Sequence, residues 1–486
     1  MTNKPSKKSN LYEEFSQRIN KKSLICLPKY QSNQNKFQRI HNYCKNHGFI
    51  LDHLTIEMIQ KSFSSMIAST FEGKNEKQSN IQLQLTHVNA LPSRTEQGIF
   101  LIIELGNLIE DLRYSLVLLL GKQIPSYEIL HSRGYNLHEQ IRLSHGRVLL
   151  DHIAIGLKEF LDQIHSNDNS LRSFQLGLLL HFPLKQTELN HVEILSWTNR
   201  FNCPDLLHHD FVDLFHQSIE KYLVDYQINI IACIQENVAA LISVAFEYPN
   251  TLISIIFRTN FQLSFVEDTE ILRSKNLFPS NQLRALYRTI LSFNFQYLHS
   301  NKSIRTHALF QTLLTSIDIR VIHQLKVNYF DIFTCDLCLL EIIRLLIIDL
   351  CQHEQFLPDL IWKNSKLIQS GSLCLKFVSY LLQGKYSKLK PYLIELGLKQ
   401  LNKLDCIYFE YISHLIIRRS TQIISCLIVC FAQRYNQENL TIAIDSYLYR
   451  SCSIYQIYLQ QEIEYLCKQW ITMFHFVNAT DKSYVR

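Results

Sequence analysis

Glycine is scarce in this chain, with 12 among 486 residues, where ordinary usage of roughly 7% would supply nearly three times as many. Glycine turns a backbone through positive φ without a Cβ penalty and lets main chain come close to a phosphate. So few of them argue against an array of phosphate-cradling loops. No charge of one sign dominates. Lys and Arg number 49 against 43 Asp and Glu, a formal net charge of +6. Both signs are scattered along the chain, which describes a solvated surface rather than a nucleic-acid face.

Other features are missing too. The first 22 residues hold a small basic surplus (Lys4, Lys7, Lys8, Arg18, Lys21, Lys22) without the apolar run of a secretory signal, which predicts a flexible N-terminal arm. Apolar runs such as Ile423–Ala432 and Leu345–Ile348 fall short of the ~18 residues that span a bilayer. No transmembrane segment is expected, and the expected location is cytoplasmic. The 13 cysteines are then expected to stay reduced. Cys335 and Cys338 form a single C-x-x-C with no second pair, which describes two helix-face thiols rather than a zinc or redox site. His208, His209 and the other histidines show no metal-ligand spacing. No metal centre is expected.

What is present is apolar. Hydrophobic residues make up 47% of the chain, enough for a large core, and the length fits two or three domain-sized units. Apolar residues three and four apart predict helix between Lys36 and about Lys77. Ile99–Ile103 and Tyr114–Leu120 are candidate paired strands, followed by a helix over Arg147–Gln163 and a buried strand over Leu176–Pro183. A helix over Asp210–Tyr222, a strand over Gln227–Ile234, a helix over Glu236–Phe246 and a strand over Leu252–Phe257 continue the alternation. This alternation predicts an α/β fold. The second half is mainly helical (Leu337–Leu350, Leu373–Leu382, Cys406–Gln433), with a late strand at Leu440–Ile444.

Within that pattern, Leu176–Glu267 resembles the hexokinase family. Leu178–Phe201 is similar to the family's sugar-binding strand and loop, with Phe182, Pro183, Gln186, Thr187, Ser196, Trp197, Thr198 and Phe201 in place. Ala90–Gly106 is similar to the approach to the family's first phosphate loop. Leu440–Ser451 resembles a late strand that the family writes roughly I-T-V-G-V-D-G-S-L-Y-K, and Asp405–Phe431 fits the helix before it. The similarity is collinear from about Lys36 to about His475. It implies a two-lobed, actin-like ATPase fold of the hexokinase type, with a helical N-terminal arm and a helix-rich second lobe. The implied division is a flexible basic arm over residues 1–35, a small lobe with its leading helix over 36–234 and a large lobe over 235–486. The family's adenosine-covering turn and helix should follow about Phe476. Val477–Arg486 does not resemble them, so the large lobe is expected to be shortened at that end.

The family reaction moves the γ-phosphoryl of MgATP to the 6-hydroxyl of a hexose, the first step of glycolysis. The resemblance implies site residues one by one. The family's Asn-Asp-Thr-Val-Gly-Thr falls on Gln235-Glu236-Asn237-Val238-Ala239-Ala240. Glu236 therefore stands for the general base and Gln235 for a sugar-binding asparagine, each longer by one methylene. Thr198 keeps a sugar contact, while Asn199 stands where the family has lysine. Gln262, Asn294 and Asp331 stand for further sugar contacts. An unmatched pair of buried polar contacts weakens binding by ~2–6 kcal/mol.

The phosphate segments depart further. The family's Asp-Leu-Gly-Gly-Thr-Asn becomes Glu104-Leu105-Gly106-Asn107-Leu108-Ile109, followed by Glu110 and Asp111, two carboxylates expected to repel a polyanion. Gly-Thr-Gly-Thr-Asn becomes Arg258-Thr259-Asn260-Phe261-Gln262, with Phe261 too bulky for a phosphate to approach the main chain. Arg258 offers either an anion contact or an interlobe ion pair. Asp445 persists, followed by Ser446 and Tyr447 where the family has Gly-Ser. The cofactor-binding candidates are thus Gly106, Asn107, Thr259, Asp445 and Ser446, and MgATP is implied by the family only. The expectation is a hexokinase-family protein with impaired or absent catalysis, kept as a binding or regulatory protein with a hexose or a protein as partner. The alternative is a slow or altered hexose kinase using Glu236.

Overall fold

The structure is a computed structural model that describes residues 11, 13–15, 27–72, 81–107, 109–165, 172–198, 200–258, 260–279, 282–283, 287–295, 312–435, 437–467 and 473–479. Two sheets organise it. The smaller lobe is built on strands β2 (Gln97–Leu105), β3 (Leu112–Leu120), β4 (Tyr127–Tyr135), β5 (Ser173–Leu180) and β8 (Gln227–Gln235), in the order β4-β3-β2-β5-β8. β2 and β3 pair antiparallel, Ile103 opposite Tyr114, as their apolar runs predict. β5 runs parallel to both β2 and β8. Helix Gly146–His165 lays Leu149, Leu150, Ile153 and Leu157 into this lobe's core beside Leu101 and Leu176. A two-stranded ribbon of β6 (Leu184–Glu188) and β7 (His191–Ile194) lies outside the main sheet.

The larger lobe holds β1 (Ile81–Leu85), β9 (Thr251–Phe257), β10 (Phe261–Asp268), β11 (Arg288–Phe295), β12 (Asn439–Asp445) and β13 (Met473–Asn478). Their order is β1-β11-β10-β9-β12-β13. Every residue of β9 is buried, as an apolar run covered on both faces requires. Behind this sheet runs helix Lys403–Ala432, opened by a capping box between Asn402 and Asp405. It is the one described helix long and apolar enough to cross a membrane, with mean hydropathy 1.6 over its best window. Yet 94% of that window is buried inside the protein. It is a core helix, longer than the Ile423–Ala432 run alone indicates.

The expected division of the chain needs correction at its N-terminal end. Helix starts at Leu27, inside the expected arm, and Leu11 and Phe15 are buried, Phe15 against Tyr411 at 5.3 Å. Helices Leu27–Asn46 and His53–Phe71 flank a turn at Gly48, whose φ is +79°. Asp52 caps the second, accepting from Thr55 N at 2.8 Å. Both helices, with β1, pack into the larger core, Phe37 on Tyr411 at 4.8 Å. Apolar periodicity identifies such a helix without saying which sheet receives it.

The helices expected in the second half form, as Asp336–His353, Leu375–Leu382 and Lys403–Ala432. Strands β1, β4, β6, β7, β10, β11 and β13 are additional to the strands that the sequence pattern predicts. β4 alternates weakly, and Phe261 and Gln262, which the resemblance assigns to a phosphate loop, open β10.

Candidate functional site

Strands that run parallel deliver their C-terminal ends to one crevice, the usual ligand position in open α/β sheets. Here β2 brings Glu104, the end of β5 brings His181, β8 leads into Glu236, β9 leads into Arg258, and β12 ends in Asp445. All five are buried, each 6% exposed or less.

They form a chain of alternating charge. His181 Nε2 lies 2.7 Å from Glu104 Oε1, and its Nδ1 is bonded to Glu236 Oε2. Arg258 Nη2 donates to the same Glu236 oxygen at 2.5 Å, and its Nε lies 3.5 Å from Asp445 Oδ2. The other Glu236 oxygen accepts from Gln262 Nε2 at 3.0 Å. Burial alone would raise the Glu236 carboxyl, but the neighbouring His181 and Arg258 charges outweigh it and hold it at about 2. Burial alone would lower His181. The Glu236 and Glu104 carboxylates overcome that and lift it to about 9. Glu236 is thus an ion-paired carboxylate at the start of helix Glu236–Glu247, with both oxygens occupied.

The remaining candidates divide. Gln235 is buried at the N-cap of that helix and makes no capping bond with its side chain. Thr198 Oγ1 donates to the His181 carbonyl at 3.2 Å, so it props the bridge. Asp331 is a structural acceptor, taking Phe261 N at 2.8 Å and Asn328 N at 3.3 Å. Burial lifts its carboxyl to about 7 against these two bonds. Asn294 sits on β11 opposite Gln82 of β1, and its side chain lies outside the described residues, as do Asn199, Thr259 and Leu108.

The phosphate segments are occupied from within. Gly106 N donates to Asp111 O at 2.8 Å, and Asn107 bonds Glu104 at 2.8 Å and Ile109 N at 3.1 Å. Phe261 belongs to β10 and packs edge-on against Phe330 at 4.7 Å. Ser446 Oγ and Tyr447 N both donate to Asp336, at 2.9 and 2.6 Å. Burial pushes the Asp336 carboxyl up to about 7. Among the described residues of the three segments, the amides of Gly106, Ile109, Phe261 and Tyr447 are thus matched by a carbonyl, a side-chain amide or a buried carboxyl group.

One expectation is corrected: Glu110 and Asp111 are not free repellers. Glu110 pairs with Arg113 at 2.6 Å, and Asp111 with Arg200 at 3.1 Å and Arg142 at 3.6 Å.

The described cysteines are free thiols, all buried except Cys374. Among the described residues, metal-ligating atoms cluster at His191, Asp210 and Asp213. There Asp210 already caps helix Phe211–Tyr222 and bonds His191 at 2.8 Å.

Sequence reasoning missed His181 and Asp336. The signal for His181 was a lone polar residue closing the apolar run Leu176–Leu180 just before Phe182-Pro183. Asp336 was hidden beside the C-x-x-C.

Comparison with known proteins agrees with this architecture. Two family models, both described as Hexokinase, match residues 41–246 and 307–485. Hexokinase from Brugia malayi is 24% identical over 433 residues, covering 86% of this chain and 71% of that protein. Hexokinase-3 from Rattus norvegicus is 25% identical over 322 residues, covering 65% of this chain and 33% of that protein. Hexokinase-2 of the same species is 23% identical, covering 86% and 44%. The chain thus matches between a third and under half the length of these rat relatives. A Schistosoma mansoni hexokinase solved in complex with glucose superposes with a TM-score of 0.74 at 20% identity, covering 93% of this chain and 97% of that one. A further hexokinase crystal structure gives 0.72 at 17% identity, covering 92% and 97%. These structures share the two-lobed fold, and the chain belongs to the hexokinase family.

Proposed function

We propose that this chain is a hexokinase-fold protein without efficient hexose phosphorylation, serving as a binding or regulatory protein. The observation that carries the reading is the state of Glu236. A general base works best with a pKa near the operating pH and a free oxygen facing the substrate hydroxyl. Glu236 has neither, since His181, Arg258 and Gln262 hold its oxygens and its carboxyl lies at about 2. Phosphoryl transfer depends on positioning and on charge matched to the phosphates. In each of the three phosphate segments, described amides (Gly106, Ile109, Phe261 and Tyr447) already donate within the chain.

The test is a coupled assay for sugar 6-phosphate with glucose and MgATP, on wild type and Glu236→Ala. The expected result is no turnover above background in either protein. Turnover that Glu236→Ala abolishes overturns the proposal in favour of a slow hexose kinase based on Glu236. Thermal-shift measurements with glucose and with MgATP separately then distinguish sugar binding alone from no binding.

A further inference from the structure

The buried ion chain joins two lobes. Glu104 and His181 stand at the ends of β2 and β5 in the five-stranded sheet, Arg258 and Asp445 at the ends of β9 and β12 in the six-stranded one. Glu236 opens a helix whose Val238 and Leu241 belong to the larger core. His181 therefore reaches across, bonded to a carboxylate of its own lobe through Nε2 and of the other lobe through Nδ1. A ring that donates from both nitrogens is an imidazolium, and each neighbouring carboxylate needs that proton. Removing one member of such a buried set leaves its partners as uncompensated charges.

We propose that Glu104, His181, Glu236, Arg258 and Asp445 form an intramolecular latch that holds the two lobes shut without any ligand. The latch deepens the non-catalytic reading above and rests on it, because the same Glu236 oxygens serve both. In this chain the imidazolium and guanidinium stand in the crevice between the sheets, so closure is set by the protein's own charges. Regulation of the site then amounts to breaking the His181 bridge.

Small-angle X-ray scattering on the full chain near neutral pH, with and without glucose, tests the latch against His181→Ala and Glu104→Gln. Hydrogen exchange of residues 176–182 and 236–246 accompanies it. Wild type is expected to give the same radius of gyration with and without glucose. His181→Ala is expected to give a larger radius with unchanged far-UV circular dichroism. Its amides in those segments should exchange at least about tenfold faster, the factor that about 1.4 kcal/mol produces.

If His181→Ala does not fold, Glu104→Gln carries the test. It keeps the His181–Glu236 bond, loosens its anchor, and should give a radius between those extremes. A wild type that contracts on adding glucose overturns the latch, as do variants that scatter like wild type. The coupled assay on the same samples keeps the two ideas separate. Turnover sinks the non-catalytic reading whatever the scattering, and unchanged scattering sinks the latch whatever the turnover.

Discussion

Arg258 lies between Glu236 and Asp445, its Nη2 2.5 Å from the first and its Nε 3.5 Å from the second. The resemblance left two readings for this arginine, an anion contact or an ion pair, and the geometry is that of an ion pair. Arg258→Leu removes the buried positive charge that Glu236 and Asp445 share. It should destabilise the protein by about 3–5 kcal/mol. Urea denaturation of wild type and variant reads the difference directly. A loss under about 1 kcal/mol, the scale of an exposed pair, would contradict the buried arrangement.

The His181 bridge gives stability a pH profile with a definite sign. Its folded pKa of about 9 lies above the ordinary 6.5. Its contribution is therefore complete below about 6.5 and is lost as pH rises through about 9. Glu236, at about 2 against an ordinary 4.5, contributes above about 4.5 and fails as pH falls toward 2. Denaturation midpoints between pH 6 and pH 10 should decline in wild type, with a visibly shallower decline in His181→Ala. Parallel profiles would refute the bridge.

Asp331 behaves in the opposite sense. Its folded carboxyl sits at about 7 against an ordinary 3.8 because it is buried. The cost of ionising it is absent below about 3.8, grows between 3.8 and 7, and is complete above 7. Asparagine keeps an oxygen for the Phe261 amide and removes the charge, giving up only the longer bond from Asn328 N, which the second carboxyl oxygen accepts at 3.3 Å. Asp331→Asn should therefore melt higher than wild type at pH 8, with the advantage shrinking or reversing at pH 4. Equal melting temperatures at pH 8 would count against a strained carboxylate.

Gly106 is a position where the backbone does need glycine. Its φ is +91°, and a Cβ there would stand 2.5 Å from Phe182 Cζ. That ring is held edge-on by Trp197 at 4.8 Å and Phe201 at 5.3 Å, so it cannot yield cheaply. Gly106→Ala should lower stability by about 1–3 kcal/mol and perturb Trp197 fluorescence. Phe182→Leu in the same chain should restore part of the loss. A lack of any such recovery would place the strain elsewhere.

Much of the framework was legible in the sequence because burial leaves period-bearing marks. β9 is an unbroken apolar run, and helix Gly146–His165 carries a clear apolar stripe. Motif order then supplied the lobes. What stayed hidden depends on partners far along the chain. Glu236 was readable as a displaced base, but its capture by His181 and Arg258 joins residues 55 and 22 positions away. Similarly, nothing local announces Arg200 or Arg142 as the neutralising partners of Asp111, whereas Arg113, the partner of Glu110, stands three residues away.

The way the two sheets draw on the chain also dictates an order of assembly during synthesis. The five-stranded sheet is made wholly from residues 97–235, so that lobe is complete soon after its last strand leaves the ribosome. The first helices and β1 have no such neighbour. Phe37 waits for Tyr411, and β1 waits for β11. At ribosomal speeds of ~5–20 residues per second, the apolar side chains between Phe37 and Phe71 stay uncovered for on the order of 20–60 s before the helix at Lys403–Ala432 arrives. In a cell, that interval is when chaperones have most to do for this protein.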